Sequence, residues 1–298
     1  MTLFSGLSAF PITPADADGR VDVAGVQKVV GRLVEAKVDS IGLLGSTGTY
    51  AYLTRDERRR AVEAAVERVQ GEVPLMVGIG ATSTAEVIRL GQDAAKAGAD
   101  AVLLAPVSYL PLSDEEVAQH YAAVAAAVGL PLCIYNNPTV TRFTFSPELI
   151  GRLSQVEGIA AVKTSGADTP QEAQALIAGL RAQVAPGFSI GCAADWMVTE
   201  AMIAGAQAWY SVLGGLFPAP IQTIVRAVRA GDADAARGEN ARLKPLWDLF
   251  KELSSFRIVY AANNLLGLTD AQPPRPILGL SETDRRRVAQ VIDDLQLA

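Results

Sequence analysis

The chain has 298 residues, half of them hydrophobic and 19% charged, with a net charge of −6. This is the composition of a globular, water-soluble protein, and an acidic balance without a basic stretch argues against nucleic acid or acidic lipid and for a small-molecule partner. No run reaches the roughly 18 uninterrupted apolar residues of a membrane span, and MTLFSGLSAFPITP lacks the basic start and long apolar core of a secretory signal. The expected compartment is the cytoplasm, in keeping with two cysteines, Cys133 and Cys192, each inside an apolar run and read as a buried free thiol.

Along the chain, short apolar runs alternate with longer segments of helical periodicity. LSAFPI (7–12) reads as a strand, followed by a helix over 23–37 in which Val26, Val29, Val30, Leu33 and Val34 keep the i, i+3, i+4, i+7, i+8 spacing. Strands at 40–45, 74–80 and 101–106 precede helices at 55–70, 84–97 and 114–128. The last of these opens with Ser113 and Glu116 in a capping-box pattern and carries the only histidine, His120, read as a surface or packing residue. Strands at 131–136, 159–164, 188–192 and 208–213 precede helices at 146–155, 170–182, 195–204 and 218–229.

Eight strand-then-helix units imply parallel strands joined by right-handed crossovers, and eight closes a (β/α)8 TIM barrel over 1–230. A doubly wound open sheet is the rival, but FPITPADADG is not the Gly-rich phosphate turn that such a fold carries after its first strand. Residues 231–298 read as a C-terminal helical appendage without strands.

In such a barrel, chemistry belongs at the C-terminal ends of the strands, where this chain has GSTGT, APVSY, YNNP, KTSG and GCAAD. Lys163 stands in the apolar run IAAVKT. Its bland reading is a lysine whose stem packs while its amine reaches water; the sharper one is a desolvated amine that attacks a carbonyl to form a Schiff base. Tyr135 reaches the same place if its strand is the neighbour, either as a proton relay or as a packing aromatic. In GSTGT, Gly45 and Gly48 permit a tight turn whose N–H groups converge on a carboxylate, with Ser46 and Thr47 adding hydroxyls.

GSTGTYAYLTRDER, YNNP and AVKTSG, in this order and spacing, resemble the dihydrodipicolinate synthase and N-acetylneuraminate lyase family of pyruvate-handling class I aldolases. The likeness runs from FPITP to GAQAWYSVL and the helical tail. It implies that Lys163 forms the Schiff base, that Tyr135 relays protons with Thr47, and that Ser46 and Thr47 bind the pyruvate carboxylate. Gly48, Tyr109 and Tyr210 are further expected substrate contacts. It also implies a homotetramer, a dimer of dimers, that uses neither metal nor organic cofactor.

Departures from the family pattern bear on the substrate. The synthase branch has a carboxylate-clamping arginine two residues after YN-x-P, where this chain has Val140; Arg142 lies two further on. The second tyrosine of the synthase relay, supplied across a subunit interface, corresponds to Ser108, with Tyr109 one residue late. Thr49 replaces the usual glutamate after GSTG, and Tyr50 and Tyr52 read as packing aromatics. The expectation is therefore a synthase-like lyase of altered substrate choice. A sugar-acid aldolase or dehydratase is the alternative within the family, and a keto-acid-binding barrel without turnover the alternative outside catalysis.

Overall fold

The apolar runs are short because each supplies one strand of a closed sheet. A computed structural model of the protein describes residues 3–297. Its strands are β1 (Gly6–Ala9), β2 (Ser40–Leu43), β3 (Leu75–Gly78), β4 (Ala101–Leu104), β5 (Leu132–Tyr135), β6 (Ile159–Ser165), β7 (Ser189–Ala193) and β8 (Ala208–Ser211). Each pairs in parallel with the next, and β8 returns to β1 with Gly6 opposite Ala208 and Ala9 opposite Ser211. Closure leaves no sheet edge, so the barrel holds and the open sheet does not.

The outer helices are α1 (Val23–Glu35), α2 (Arg55–Val69), α3 (Thr84–Ala97), α4 (Asp114–Val128), a short α5 (Pro138–Thr141), α6 (Pro147–Leu153), α7 (Pro170–Gln183), α8 (Val198–Ile203) and α9 (Pro218–Arg229). Asp22, Thr54, Ser83, Ser113 and Thr169 each cap a helix by accepting one of its orphan N–H groups. The Ser113–Glu116 capping box forms, with the Glu116 carboxylate accepting Ser113 N–H at 2.7 Å. His120 is half-buried on α4, its Nδ1 2.9 Å from Thr84 Oγ1 on α3, so it ties two helices together.

Two segments differ from the sequence pattern. The expected helix over 195–204 begins as a 3-10 turn, Asp195–Met197, because the Asp195 carboxylate caps nothing there: it accepts from Trp209 Nε1 at 2.7 Å and Leu213 N–H at 2.8 Å. In the tail, the first helical run divides at Leu243 into α10 (Ala233–Arg242) and α11 (Lys244–Leu253), where Pro245 lacks the N–H needed to continue α10. Helices α12 (Ser255–Leu265) and α13 (Glu282–Asp294) follow.

Strand alternation sorts the side chains. Leu7, Ile41, Leu43, Val102, Ile134, Val162, Ile190, Cys192 and Trp209 pack between sheet and helices. Phe10, Met76, Leu103, Cys133, Tyr135, Ala161, Ala208 and Tyr210 form a second, interior cluster. Lys163 follows Ala161 by two residues and therefore faces inward. Among the described residues no helix is long and apolar enough to cross a membrane, and no three His, Cys, Asp or Glu gather as a metal site.

Candidate active site

Neighbouring strands β5 and β6 bring Tyr135 and Lys163 into register. Lys163 is only 4% exposed. Its Nζ stands 3.6 Å from the Phe10 ring centroid, 4.4 Å from that of Tyr135 and 5.7 Å from that of Tyr210. Burial holds the amine below its ordinary pKa, with Tyr135, Cys133 and Asp195 pulling the other way. Aromatic faces favour an ammonium, but they replace only part of its lost hydration, so desolvation wins. A neutral amine is the nucleophilic form.

The rings reach the amine because small residues make room. A Cβ on Gly42 would collide with the Phe10 ring, and one on Gly45 would stand 2.7 Å from it. Gly191, opposite Lys163 on β7, leaves the space taken by Tyr210, whose ring would lie 2.5 Å from a Cβ there. Phe10 and Tyr210 then meet edge-to-face at 6.0 Å. Tyr210 is 1% exposed, its hydroxyl 3.6 Å from Cys133 Sγ.

Above this niche the loop after β2 lowers Ser46 to within 3.4 Å of the Tyr135 hydroxyl, Oγ to Oη. Thr47 beside it is buried. The glycines of the loop act differently from their expected role in the turn. Left-handed backbone falls on Leu44 and Thr49, both at φ 55°, whereas Gly45 and Gly48 are needed for clearance. A Cβ on Gly48 would stand 3.0 Å from the Leu44 backbone and 2.9 Å from Thr13 Oγ1. Tyr50 packs inward with the Arg58 guanidinium carbon 5.1 Å from its ring centroid, and burial pushes its hydroxyl up to about 12; Tyr52 is 46% exposed.

Tyr109 is not drawn into the niche within one chain: its side chain is 95% exposed in the loop after β4. Val140 lies on α5 and is 59% exposed. Arg142 ends that helix at φ 58°, exposed to solvent. Lys163, Tyr135, Ser46 and Tyr210 thus converge, while Tyr109, Val140 and Arg142 stand at the rim.

Three residues escaped the sequence reading. Phe10 sits in FPITP, where nothing local marks a ring destined for the amine. Asp195 is 2% exposed and burial raises its pKa, opposed by its hydrogen bonds to Leu213, Trp209 and Ser211. Asn137, the second asparagine of YNNP, donates from Nδ2 to the Tyr135 hydroxyl at 2.9 Å. Its place inside that motif, two residues after the tyrosine, is the available signal.

Comparison with known proteins agrees with this fold. The model of the dihydrodipicolinate synthetase family matches residues 3–295. A 4-hydroxy-tetrahydrodipicolinate synthase of Methylococcus capsulatus is 34% identical over 94% of this chain and 94% of its own. The crystal structure of a dihydrodipicolinate synthase from Agrobacterium tumefaciens superposes with a TM-score of 0.95 at 52% identity, covering 98% of each chain. The chloride-inhibited dihydrodipicolinate synthase of Acinetobacter baumannii, solved with pyruvate, superposes at 0.90 with 28% identity over both full lengths.

Proposed function

Since the chain belongs to the dihydrodipicolinate synthetase family of lyases, we propose that it acts on pyruvate or a related 2-keto acid through an imine on Lys163. The observation that carries this reading is a lysine amine desolvated against aromatic rings and lowered from its ordinary pKa, with a phenol beside it. The neutral amine attacks C2 of the keto acid, and its proton passes to the former carbonyl oxygen. Tyr135 donates its phenol proton to that hydroxyl, which leaves as water and yields the iminium and a phenolate. The phenolate then takes a C3 proton, giving the enamine and restoring the phenol. Ser46 and Thr47 hold the carboxylate, and Gly48 lets their loop close. The enamine carbon adds to an aldehyde, or the same steps run backwards as cleavage.

Val140 favours a second substrate without a carboxylate at the rim, hence a sugar-acid aldolase or dehydratase over lysine-biosynthetic condensation with aspartate semialdehyde. Exposed Tyr109 and Leu110 are read as partner-facing in a homotetramer. Reduction with borohydride in the presence of pyruvate tests the core of this reading. One reduced pyruvyl adduct is expected, mapping to Lys163. An adduct on Lys96 or Lys244 instead, or none, overturns it.

A further inference from the structure

YNNP sets two asparagines side by side at the mouth end of β5, and the fold employs them differently. Asn136 is structural: its Nδ2 donates to Thr164 Oγ1 at 3.1 Å, and its Oδ1 accepts from Phe145 N–H at 3.3 Å. Asn137 starts α5 through its backbone alone, its carbonyl accepting Thr141 N–H and Oγ1–H, each at 3.0 Å. Its side-chain amide is left for the phenol, Nδ2 to Tyr135 Oη at 2.9 Å.

We propose that Asn137 is the positioning residue for Tyr135: its amide N–H occupies one lone pair of the phenol oxygen, aims the phenol proton toward Ser46 and the substrate, and stabilises the phenolate. An amide NH2 group donates and cannot accept, so the phenol proton has no use on the Asn137 side. The other polar neighbours are Ser46 Oγ at 3.4 Å and the Lys163 amine, both on the substrate side. The contact strengthens once the phenol has given up its proton, because a hydrogen bond to an anion is roughly twice as strong as a neutral one. That matters here: the Tyr135 side chain is only 8% exposed, and a buried oxyanion without donors is costly. The inference rests on the reading of Tyr135 as proton carrier for an imine on Lys163.

Exchange of the pyruvate methyl protons in D2O, followed by proton NMR, reads enamine formation without any second substrate. Asn137→Asp keeps the shape but replaces the donor with an acceptor. It and Asn137→Ala are expected to slow exchange about 10- to 100-fold, the scale of a lost hydrogen bond to a charged group. The half-saturating pyruvate concentration and the borohydride adduct on Lys163 should persist in both. In the Tyr135→Phe background, Asn137→Ala should cost nothing further, whereas a merely structural asparagine would cost the same in both backgrounds. Wild-type exchange in Asn137→Asp or Asn137→Ala, or additivity in the double variant, overturns the proposal. A wild type without a Lys163 adduct fails earlier, taking the imine reading with it.

Discussion

Lys163 and Tyr135 are register partners on adjacent strands, with the amine 4.4 Å from the phenol ring centroid. Both face the barrel interior because each lies two residues beyond a small inward neighbour, Ala161 and Cys133 respectively. The proposed nucleophile and proton carrier thereby both sit on hydrogen-bonded strands of the closed barrel, while the groups assigned to the carboxylate come from a loop.

Replacing Tyr135 with Phe should lower turnover by about 100-fold or more, the usual scale for a positioned acid-base group. Pyruvate should still saturate the enzyme, since Ser46 and Thr47 are untouched. Steady-state kinetics in an aldol-cleavage or condensation assay separates the two constants, and unchanged turnover would reduce the phenol to a packing role.

The lowered amine pKa of Lys163 makes both trapping and stability depend on pH. Imine trapping requires the neutral amine, so its rate should rise with pH and reach half its maximum below 10.5, the ordinary lysine value. Folding stability moves the same way. Between the lowered folded value and 10.5 the unfolded chain binds more protons at this position, so its contribution improves as pH rises through that window and the penalty is full below it. Lys163→Met should consequently abolish trapping yet raise the melting temperature at pH 7. A lower melting temperature would mean that the ammonium is well solvated by its rings.

Gly42→Ala tests the support beneath the amine. The added methyl meets the Phe10 ring, and overpacking of this kind costs about 1–3 kcal/mol. Both the melting temperature and the pyruvate-trapping rate should fall, because the ring that moves is the one lying 3.6 Å from Nζ. Loss of stability with trapping intact would separate Phe10 from the chemistry.

Val140→Arg addresses substrate choice. A charge-assisted arginine contact is worth roughly 1.5–3 kcal/mol, about one to two decades in affinity. The wild type should therefore use aspartate semialdehyde poorly, and the variant should gain about 10- to 100-fold in kcat/KM. A wild type already near ~10⁴ M⁻¹s⁻¹ would show that another group, Arg142 foremost, holds the carboxylate.

The barrel was legible because its signals are local. α3, α4 and α9 fall on the expected residues, since a cap such as Ser83 or Ser113 and a terminator such as Gly98 or Gly129 sit next to the periodic stretch they bound. The sequence pattern extends the strands too far, at 10–12, 44–45 and 79–80, because apolar residues continue into the mouth loops after pairing ends. Within the site, Lys163 and Tyr135 were visible as polar groups in apolar runs. Phe10 was not, because its place depends on Gly42 of the next strand and on Lys163 far along the chain. Asp195 read as the start of a helix until Trp209 and Leu213 claimed both its oxygens.

The two thiols supply a clock for the opening of the fold. Cys133 lies inside the barrel and Cys192 between sheet and helices; both are fully buried, with burial pushing each thiol up to about 12. Neither offers a thiolate to a disulfide reagent in the native state, so each reacts only when its own layer parts. Labelling of Cys192 ahead of Cys133 would time the lifting of the helical shell separately from rupture of the hydrogen-bonded ring, in an otherwise unmodified chain.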